Sequence, residues 1–287
     1  MKYEIKKLSR KEFPVQLMEI PQPPKDLWLM GTLPPPETAL LTIVGSRKYT
    51  SYGKDACEEI VSGLRGYDIA IVSGLAIGMD SIAHEAALAA GLQTIAVPGS
   101  GLDPKVIYPR SNVQLAECIL DNGGALLSEY APDFKATQWS FPARNRIMAG
   151  LARATLVIEA EQKSGTLITS RLATDYNRDV FAVPGNIFSP TSVGPNMLIT
   201  LGATPIRSAE DVLIGLGFSI KEETESAIDT TLLSKDEARV IELLREPYHR
   251  DHIITMLGLA ASEANILLMK MEIAGLIKDT PEGIRRV

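Results

Sequence analysis

The chain has 287 residues, of which 45% are hydrophobic and 22% charged, a composition typical of an ordered globular protein with one large and one small domain. Its formal net charge of -6 argues against a protein that binds polyanions through overall positive charge. No apolar run reaches the roughly 20 residues that a membrane helix needs, and the first residues lack the apolar core of a signal peptide. Because the two cysteines show no CxxC spacing, we expect a cytoplasmic protein with reduced thiols and no membrane contact.

The charge is unevenly distributed along the chain. From Lys135 to Arg178 there are seven Lys or Arg residues and three Asp or Glu residues, whereas Lys221 to Glu246 contains four basic and eight acidic residues. Electrostatic fields are local at ordinary salt concentrations. An acidic protein of this kind can therefore still bind an anion at its basic segment.

Six short, largely apolar runs, five of them followed directly by Gly, Ser or Pro, alternate with amphipathic helical patterns. Strands that are apolar throughout and separated by helices form parallel sheets covered on both faces. The sequence therefore predicts an α/β domain, a Rossmann-like doubly wound parallel sheet, in which ligands bind beyond the carboxyl ends of the strands. The predicted strands are Ala39–Val44, Ile69–Val72, Thr94–Val97, Ala125–Leu127, Thr155–Glu159 and Val180–Val183.

The chain divides into four predicted regions. Residues 1–38 are rich in proline and are expected to be an irregular lead-in, residues 39–216 form the α/β domain, and residues 217–233 are an acidic linker. Three helices and a hairpin in the remaining short segment, residues 234–287, are typical of a winged-helix domain. The three helical patterns are Lys235–Arg245, Arg250–Leu257 and Ala261–Ala274.

Two strand ends carry loops suited to anions. In Gly45–Arg47, glycine lets the backbone approach a ligand and arginine offers planar donors for phosphate oxygens. A binding loop and a tight turn with a surface arginine both fit this sequence, and the strand-end position favours the binding loop. Lys163–Thr166 follows the fifth strand and opens a helix, where free amides and hydroxyls favour an anion.

The loop Ser73–Asp80 contains Gly74 and Gly78 but no GxGxxG pattern, so it does not indicate a dinucleotide. Asp80 and His84 lie one helical turn apart at a helix start. We expect Asp80 to cap the helix with His84 as its hydrogen-bond partner, and a catalytic Asp–His pair is the alternative. No Walker motif and no cluster of metal ligands occurs, so neither a metal nor another cofactor is expected.

The helix start FPARNRIMAG places Arg144 and Arg146 where the helix dipole disfavours cations. A bound anion would remove that conflict. Several cations beside an aromatic ring suit a single-stranded nucleic acid, because charges pair with phosphates and rings stack on bases. The alternative is an internal ion pair that joins Arg146 or Arg153 to Glu129 or Glu159.

A series of short motifs occurs in order between about Phe13 and Ile214: GSR, SGLAIGMD with a following histidine, YP, SE, FPARNRIMAGL, VIEAEQKSGTLIT, FAVPG and GPNMLITLGA. This series resembles the DNA-processing protein A (DprA, or Smf) family. The closing ASEANILLMKMEIAGLIK is similar to the winged-helix tail of the same family. Many relatives begin with a further helical domain. Only the end of that domain, Met1–Phe13 at most, would remain in this sequence, as part of the lead-in.

The resemblance implies an extended Rossmann fold in a homodimer that binds single-stranded DNA. It also implies a recombination mediator that helps load RecA recombinase, as in natural transformation and competence, and not an enzyme. The implied DNA-binding residues are Ser46, Arg47, Lys135, Phe141, Arg144, Asn145, Arg146, Lys163, Ser164 and Gly165. Loop or structural roles are implied for Gly45, Gly74, Gly78, Asp80, His84 and Glu129.

Two other functions stay open. Phosphoribohydrolases that cleave the N-glycosidic bond of a nucleotide share the same fold, but their PGGxGT loop is replaced here by KSGTLIT, and Arg144 with Glu159 would have to supply the catalytic pair. The other is a regulator whose winged helix binds duplex DNA. Ala261–Ala274 offers only Asn265 and Lys270 for reading bases, so we favour protein contact or an accessory role for this tail.

Overall fold

The computed structural model describes residues 3–220, 233–244, 247–280 and 283–286. The chain forms two compact units, residues 1–220 and 221–287. The first contains the predicted α/β domain and the second the predicted winged helix. Most of the predicted acidic linker, residues 221–232, lies outside the described residues, as does Arg245 at the end of the first predicted helix of the tail.

A central sheet of nine strands, counted over the described residues, organises the first unit. Its strands are β1 (Ile5–Lys7), β2 (Trp28–Gly31), β3 (Ala39–Val44), β4 (Ile69–Ser73), β5 (Thr94–Ala96), β6 (Ala125–Ser128), β7 (Ala154–Val157), β8 (Asp179–Ala182) and β9 (Thr204–Pro205). Their order across the sheet is β1-β2-β6-β5-β4-β3-β7-β8-β9, and the strands from β6 to β8 in this order pair in parallel. From β3 the strand order continues to one side through β4, β5 and β6 and to the other side through β7 and β8. A crevice therefore opens between β3 and β7, beyond their carboxyl ends.

Helices cover both faces of this sheet, which confirms the predicted doubly wound α/β class. The helices of this unit are α1 (Val15–Glu19), α2 (Ser51–Ser62), α3 (Met79–Ala89), α4 (Val113–Asp121), α5 (Ser140–Leu151), α6 (Thr166–Asp175), α7 (Val193–Thr200) and α8 (Ala209–Leu216). Alternate residues of β3 point to opposite faces. Leu41 and Ile43 therefore enter the core beneath α2, α3 and α8, while Leu40 and Val44 enter the core beneath α1 and α5.

The first 38 residues are not an irregular lead-in, and the prediction was wrong on this point. β1 pairs with β2, and β2 pairs antiparallel with β6, with Trp28 opposite Ser128. Leu17 and Leu27 are buried in the same core as α5. The strand WLMG lies among prolines and its partner strand is far away along the chain, so a local sequence pattern did not reveal it.

The second unit has the predicted winged-helix order of three helices and a hairpin. This unit has a small hydrophobic core of its own, in which Val240, Ile253, Leu268 and Ile284 are buried. Its elements are α9 (Lys235–Leu243), α10 (Arg250–Leu257), α11 (Ala261–Ile273), β10 (Ile277–Thr280) and β11 (Gly283–Arg286). The last two strands pair antiparallel.

Within the described ranges, no single helix is long and apolar enough to cross a membrane, and only α10 and α11 together, bent by 117°, reach that length and composition. The same residues contain no group of three or more His, Cys, Asp or Glu side chains arranged to hold a metal ion.

Candidate nucleic-acid interface

A cavity of about 730 Å³ opens beyond the carboxyl ends of β3 and β7. Its walls come from the loop after β3, the loop between β4 and α3, the start of α5 and the start of α6. The predicted strand-end loops therefore meet at one edge of the sheet. The predicted residues that line the cavity are Gly45, Ser46, Arg47, Asp80, Phe141, Arg144, Asn145, Ser164 and Gly165.

Close backbone packing joins the loop after β3 to the loop between β4 and α3. Gly78 has a φ of 89°, and a Cβ there would lie 2.6 Å from the Arg47 Cα, so both conformation and space require glycine. The Met79 amide donates a hydrogen bond to the Ser46 carbonyl at 3.1 Å. This contact holds the loop after β3 against the start of α3 and leaves the Arg47 side chain exposed at the mouth of the cavity.

The start of α6 forms another wall. Ser164 Oγ accepts a hydrogen bond from the Thr166 amide at 3.2 Å, and Thr166 Oγ1 donates to the Gly45 carbonyl at 3.0 Å. A helix N-terminus carries partial positive charge and attracts anions. Together with Arg47 it makes this wall electropositive, and Glu161, which also lines the cavity, partly opposes that charge.

Arg144 is a buried cation on the floor of the cavity. The residue is only 5% exposed, its Nη1 donates to the Val97 carbonyl, and its Nη2 lies 3.7 Å from Asp80 Oδ2. A Cβ at Gly74 would overlap the guanidinium, so glycine at this position makes room for it. Burial raises the pKa of the Asp80 carboxyl, and the positive charge of Arg144 opposes that rise.

His84 does not form the expected hydrogen bond with Asp80. Its Nδ1 lies 2.7 Å from Thr94 Oγ1, while its Nε2 has no hydrogen-bond partner among the described residues. Burial, reinforced by the charge of Arg144, lowers the pKa of His84 from 6.5 to about 3. The N-cap of α3 is Gly78 rather than Asp80. Neither the predicted capping pair nor the alternative catalytic pair is therefore present.

Arg146 forms the internal ion pair that the sequence left open as an alternative. Its Nη2 pairs with the Glu129 carboxylate, and its Nη1 donates to the Gln22 carbonyl at 2.9 Å. Burial raises the pKa of Glu129, and the charge of Arg146 opposes that rise. Since Arg146 is not among the residues lining the cavity, the two arginines at the start of α5 do not face one common anion.

The two predicted lysines lie outside the cavity wall. Lys135 is exposed on the loop that leads to α5, and Lys163 is exposed directly before the start of α6. Neither lines the cavity. Both lie on segments that border it, since Lys163 directly precedes the lining residue Ser164 and Lys135 is on the same loop as the lining residue Gln138.

Phe141 supplies an aromatic surface at the mouth of the cavity. A Cβ at Gly99 would lie 2.7 Å from Phe141 Cδ1, so the ring packs directly on the backbone there. Its centroid is 5.5 Å from that of Tyr108, and the Arg47 guanidinium carbon lies 5.8 Å from the Phe141 centroid, within cation–π range. A ring beside an exposed guanidinium can stack on a base while the cation binds a neighbouring phosphate.

Several lining residues were missed from the sequence: Lys48, Tyr108, Gln138 and Thr169, whereas Thr166 closes the predicted loop Lys163–Thr166. Lys48 directly follows a predicted loop, so proximity in sequence was a usable signal for it. Tyr108 was noted only as part of a Tyr-Pro loop. No local pattern indicates that its ring lies beside Phe141, because that contact is made by the tertiary fold.

Glu159, the residue that a nucleotide-cleaving enzyme would need beside Arg144, has a structural role. Its carboxylate accepts hydrogen bonds from the Thr50 amide at 2.9 Å, from Thr50 Oγ1 at 2.7 Å and from Thr191 Oγ1 at 2.7 Å. The residue is buried against Gly53. It therefore anchors the start of α2, and it does not line the cavity.

Two family profiles cover most of the chain. The profile of the DNA recombination-mediator protein A family matches residues 5–217, and the profile of the DprA winged helix domain matches residues 223–283. Protein Smf of Escherichia coli is 36% identical over 283 residues, which cover 96% of this chain and 75% of that protein. The DNA processing protein DprA of Streptococcus pneumoniae is 43% identical over 206 residues, or 72% of each chain.

Solved structures of relatives have the same fold. The X-ray structure of DprA from Streptococcus pneumoniae matches with a TM-score of 0.67 at 40% identity, covering 75% of this chain and 74% of that chain. DprA from Helicobacter pylori, whose structure is described as giving insight into its single-stranded DNA binding mode, matches with a TM-score of 0.66 at 30% identity, covering 75% and 96%. The chain therefore belongs to the DNA recombination-mediator protein A (DprA/Smf) family.

Proposed function

We propose that this protein binds single-stranded DNA in the cavity at the sheet edge and helps to load RecA recombinase onto the bound strand. The observation that carries the proposal is the meeting of exposed Arg47, the Phe141 ring and the start of α6 at one cavity. Membership of a family of recombination mediators, and the single-stranded DNA binding described for the Helicobacter pylori relative, support the same function.

The aromatic ring favours a single strand over a duplex. Bases in a duplex are stacked on their neighbours, whereas an unpaired base offers its face to a ring such as Phe141. We assign the phosphate contacts to Arg47 and to the amides at Ser164 and Gly165, with Lys135 and Lys163 as bordering cations. Arg144 then contributes its charge from the floor of the cavity, and Arg146 acts only by holding the start of α5.

An enzyme that cleaves nucleotides is the less favoured function. Glu159 is engaged by three hydrogen bonds at α2, and the buried Arg144 faces Asp80. A glycosidic bond placed in the cavity would therefore meet Asp80 paired with a cation and Glu161 at the rim. The pair of Arg144 and Glu159 that the nucleotide-cleaving function would need is therefore not assembled at the cavity in the described part of the chain.

We further propose that the protein is a homodimer. Large apolar side chains are exposed on α7 and on the residues that flank it, namely Ile187, Phe188, Val193, Met197 and Leu201. α7 leads directly into β9, the edge strand of the sheet, and exposed apolar patches of this kind are typical of protein interfaces. Two cavities on one strand raise the apparent affinity through effective concentration. A partner of RecA in recombination or natural transformation works in the cytoplasm.

The first test measures the fluorescence anisotropy of a labelled oligo-dT strand and of a matched duplex across a salt series, for the wild type and Arg47→Ala. Arg153→Ala is the matched control, because Arg153 is exposed but lies at the start of β7, at the opposite end of the strands. We expect preference for the single strand, a steep salt dependence, and loss of affinity only in Arg47→Ala. A RecA filament-assembly assay then tests loading.

Two results would count against this function. Equal affinity for strand and duplex would indicate backbone binding without base stacking. Absence of strand binding, together with release of free base from a nucleoside monophosphate, would favour the nucleotide-cleaving alternative.

A further inference from the structure

Three aromatic side chains cluster on the segment before α5. The Tyr130 and Phe134 rings are stacked, with centroids 4.3 Å apart and an interplanar angle of 16°. Trp139 makes edge contacts with both, at centroid distances of 5.8 Å and 5.7 Å and interplanar angles of 76° and 62°. The indole is therefore held in a defined orientation by a rigid pair of rings.

Trp139 is nevertheless 59% exposed. Tryptophan is highly buried on average in folded proteins, so an indole that is both fixed and open to solvent is an unusual surface feature. Neither contact with Tyr130 or Phe134 is parallel to the indole plane. The cluster orients this ring without stacking on it.

The position of Trp139 connects it to the cavity. It is the N-cap of α5, and it lies between Gln138 and Phe141, both of which line the cavity. Lys135 is exposed on the same short loop, with Asp133 as its acidic neighbour. In sequence, Phe141 follows the indole by two residues and Lys135 precedes it by four.

We propose that Trp139 is a second base-stacking site for single-stranded DNA, outside the cavity, with Lys135 binding the adjacent phosphate. The proposal rests on the function proposed above and extends it by giving the direction in which the strand leaves the cavity. A preformed aromatic face beside a cation, continuous with a cavity of the same chemistry, matches the way sequence-tolerant proteins bind single strands.

The test uses the indole as its own reporter. The chain has two tryptophans, so in Trp28→Phe, excited at a wavelength that only indoles absorb, Trp139 is the only tryptophan emitter, and stacking of a base on an indole quenches its fluorescence. Oligo-dT strands of about 4 and about 15 nucleotides are titrated while anisotropy reports binding. We expect strong quenching of the Trp139 fluorescence only with the longer strand, because the shorter strand occupies the cavity and does not extend to Trp139. In the same assay Trp139→Ala should lose about tenfold in affinity for the longer strand, Trp139→Phe less than about threefold, and neither should change binding of the shorter strand.

The outcomes separate this inference from the function on which it rests. If the longer strand binds with unchanged Trp139 emission, and Trp139→Ala binds it like the wild type, the second site does not exist although the cavity binds DNA. If neither strand binds to the Trp28→Phe protein or to the wild type, the proposed function itself fails. Equal weakening of both strands in Trp139→Ala and Trp139→Phe, without quenching, would show that the indole only supports α5 and would overturn the proposal.

Discussion

The cavity of the α/β unit and helix α11 of the winged-helix unit are both positions where their folds commonly bind nucleic acid. The cavity has an exposed arginine, an aromatic ring and a helix N-terminus. On α11 the exposed stripe is apolar: Ile266, Met269 and Ile273 are 56%, 58% and 82% exposed. A position in a fold therefore becomes an interface only through the side chains that occupy it.

The two regions also differ in what happens to their arginines. Beside the cavity, Arg146 is engaged in an ion pair with Glu129, whereas Arg47 stays exposed. Next to α11, Arg250 lies 3.0 Å from Asp279 Oδ2 and 3.7 Å from Glu272 Oε2, so carboxylates of the same unit already neutralise it. Arg285 on β11 stays exposed, so the difference concerns the surroundings of α11, and protein contact rather than duplex reading stays the prediction for this unit.

The largest expected effect concerns the floor of the cavity. Arg144→Ala leaves the buried Asp80 carboxyl without its cation, and we expect the free energy of unfolding to fall by about 3 kcal/mol, because removal of one partner of a buried ion pair strands the other. Urea unfolding measures the loss, and the double variant Asp80→Asn/Arg144→Ala should recover part of it. Unchanged stability with lost DNA binding would instead make Arg144 a direct phosphate contact.

Charge reversal at the mouth of the cavity should come next. Arg47→Glu replaces an attraction by a repulsion at the proposed phosphate path, so we expect the affinity for oligo-dT to fall by about 100-fold at low salt, with a shallower salt dependence. The matched variant is Arg285→Glu on β11, an exposed arginine of the winged-helix unit. A comparable loss in Arg285→Glu would erase the difference between the two regions.

At mildly acidic pH, a smaller effect is expected from the buried histidine, His84. Because the folded-state pKa of His84 is lowered from 6.5 to about 3, the unfolded chain binds an extra proton between these values. Stability should therefore decline as the pH falls from about 6.5 towards 3, with a contribution from His84 of up to about 1.4 kcal/mol per pH unit. Urea unfolding at several pH values should show a shallower decline in His84→Gln, and parallel curves would contradict this.

The smallest effect is expected on α11. Ile273→Glu changes the most exposed residue of the apolar stripe, and we expect less than about a twofold change in affinity for oligo-dT, in line with surface substitutions away from a binding site. Anisotropy with strand and duplex checks this. A larger loss for either ligand would show that α11 contributes to DNA binding after all.

Much of the fold could be predicted because its signals are local. The strands from β3 to β8 are mostly buried, so each contains a short apolar run, and the bounds of α10 were predicted without error. β1, β2 and β9 escaped prediction because they are short and depend on partner strands elsewhere in the chain. β1 and β9 are the edge strands, and β2 lies between β1 and β6. Trp28 pairs with Ser128, and Phe181 with Thr204.

At the candidate site, the amino-acid sequence by itself determined which loops carry anion-binding chemistry, because glycine, serine and arginine at strand ends are specified locally. Only the tertiary structure decided which cations stay available. Arg144 and Arg146 are two residues apart on one helix, yet one faces Asp80 and the other Glu129. The free energy of a charged side chain depends on desolvation and on counter-ions that distant segments supply, and no local pattern contains either.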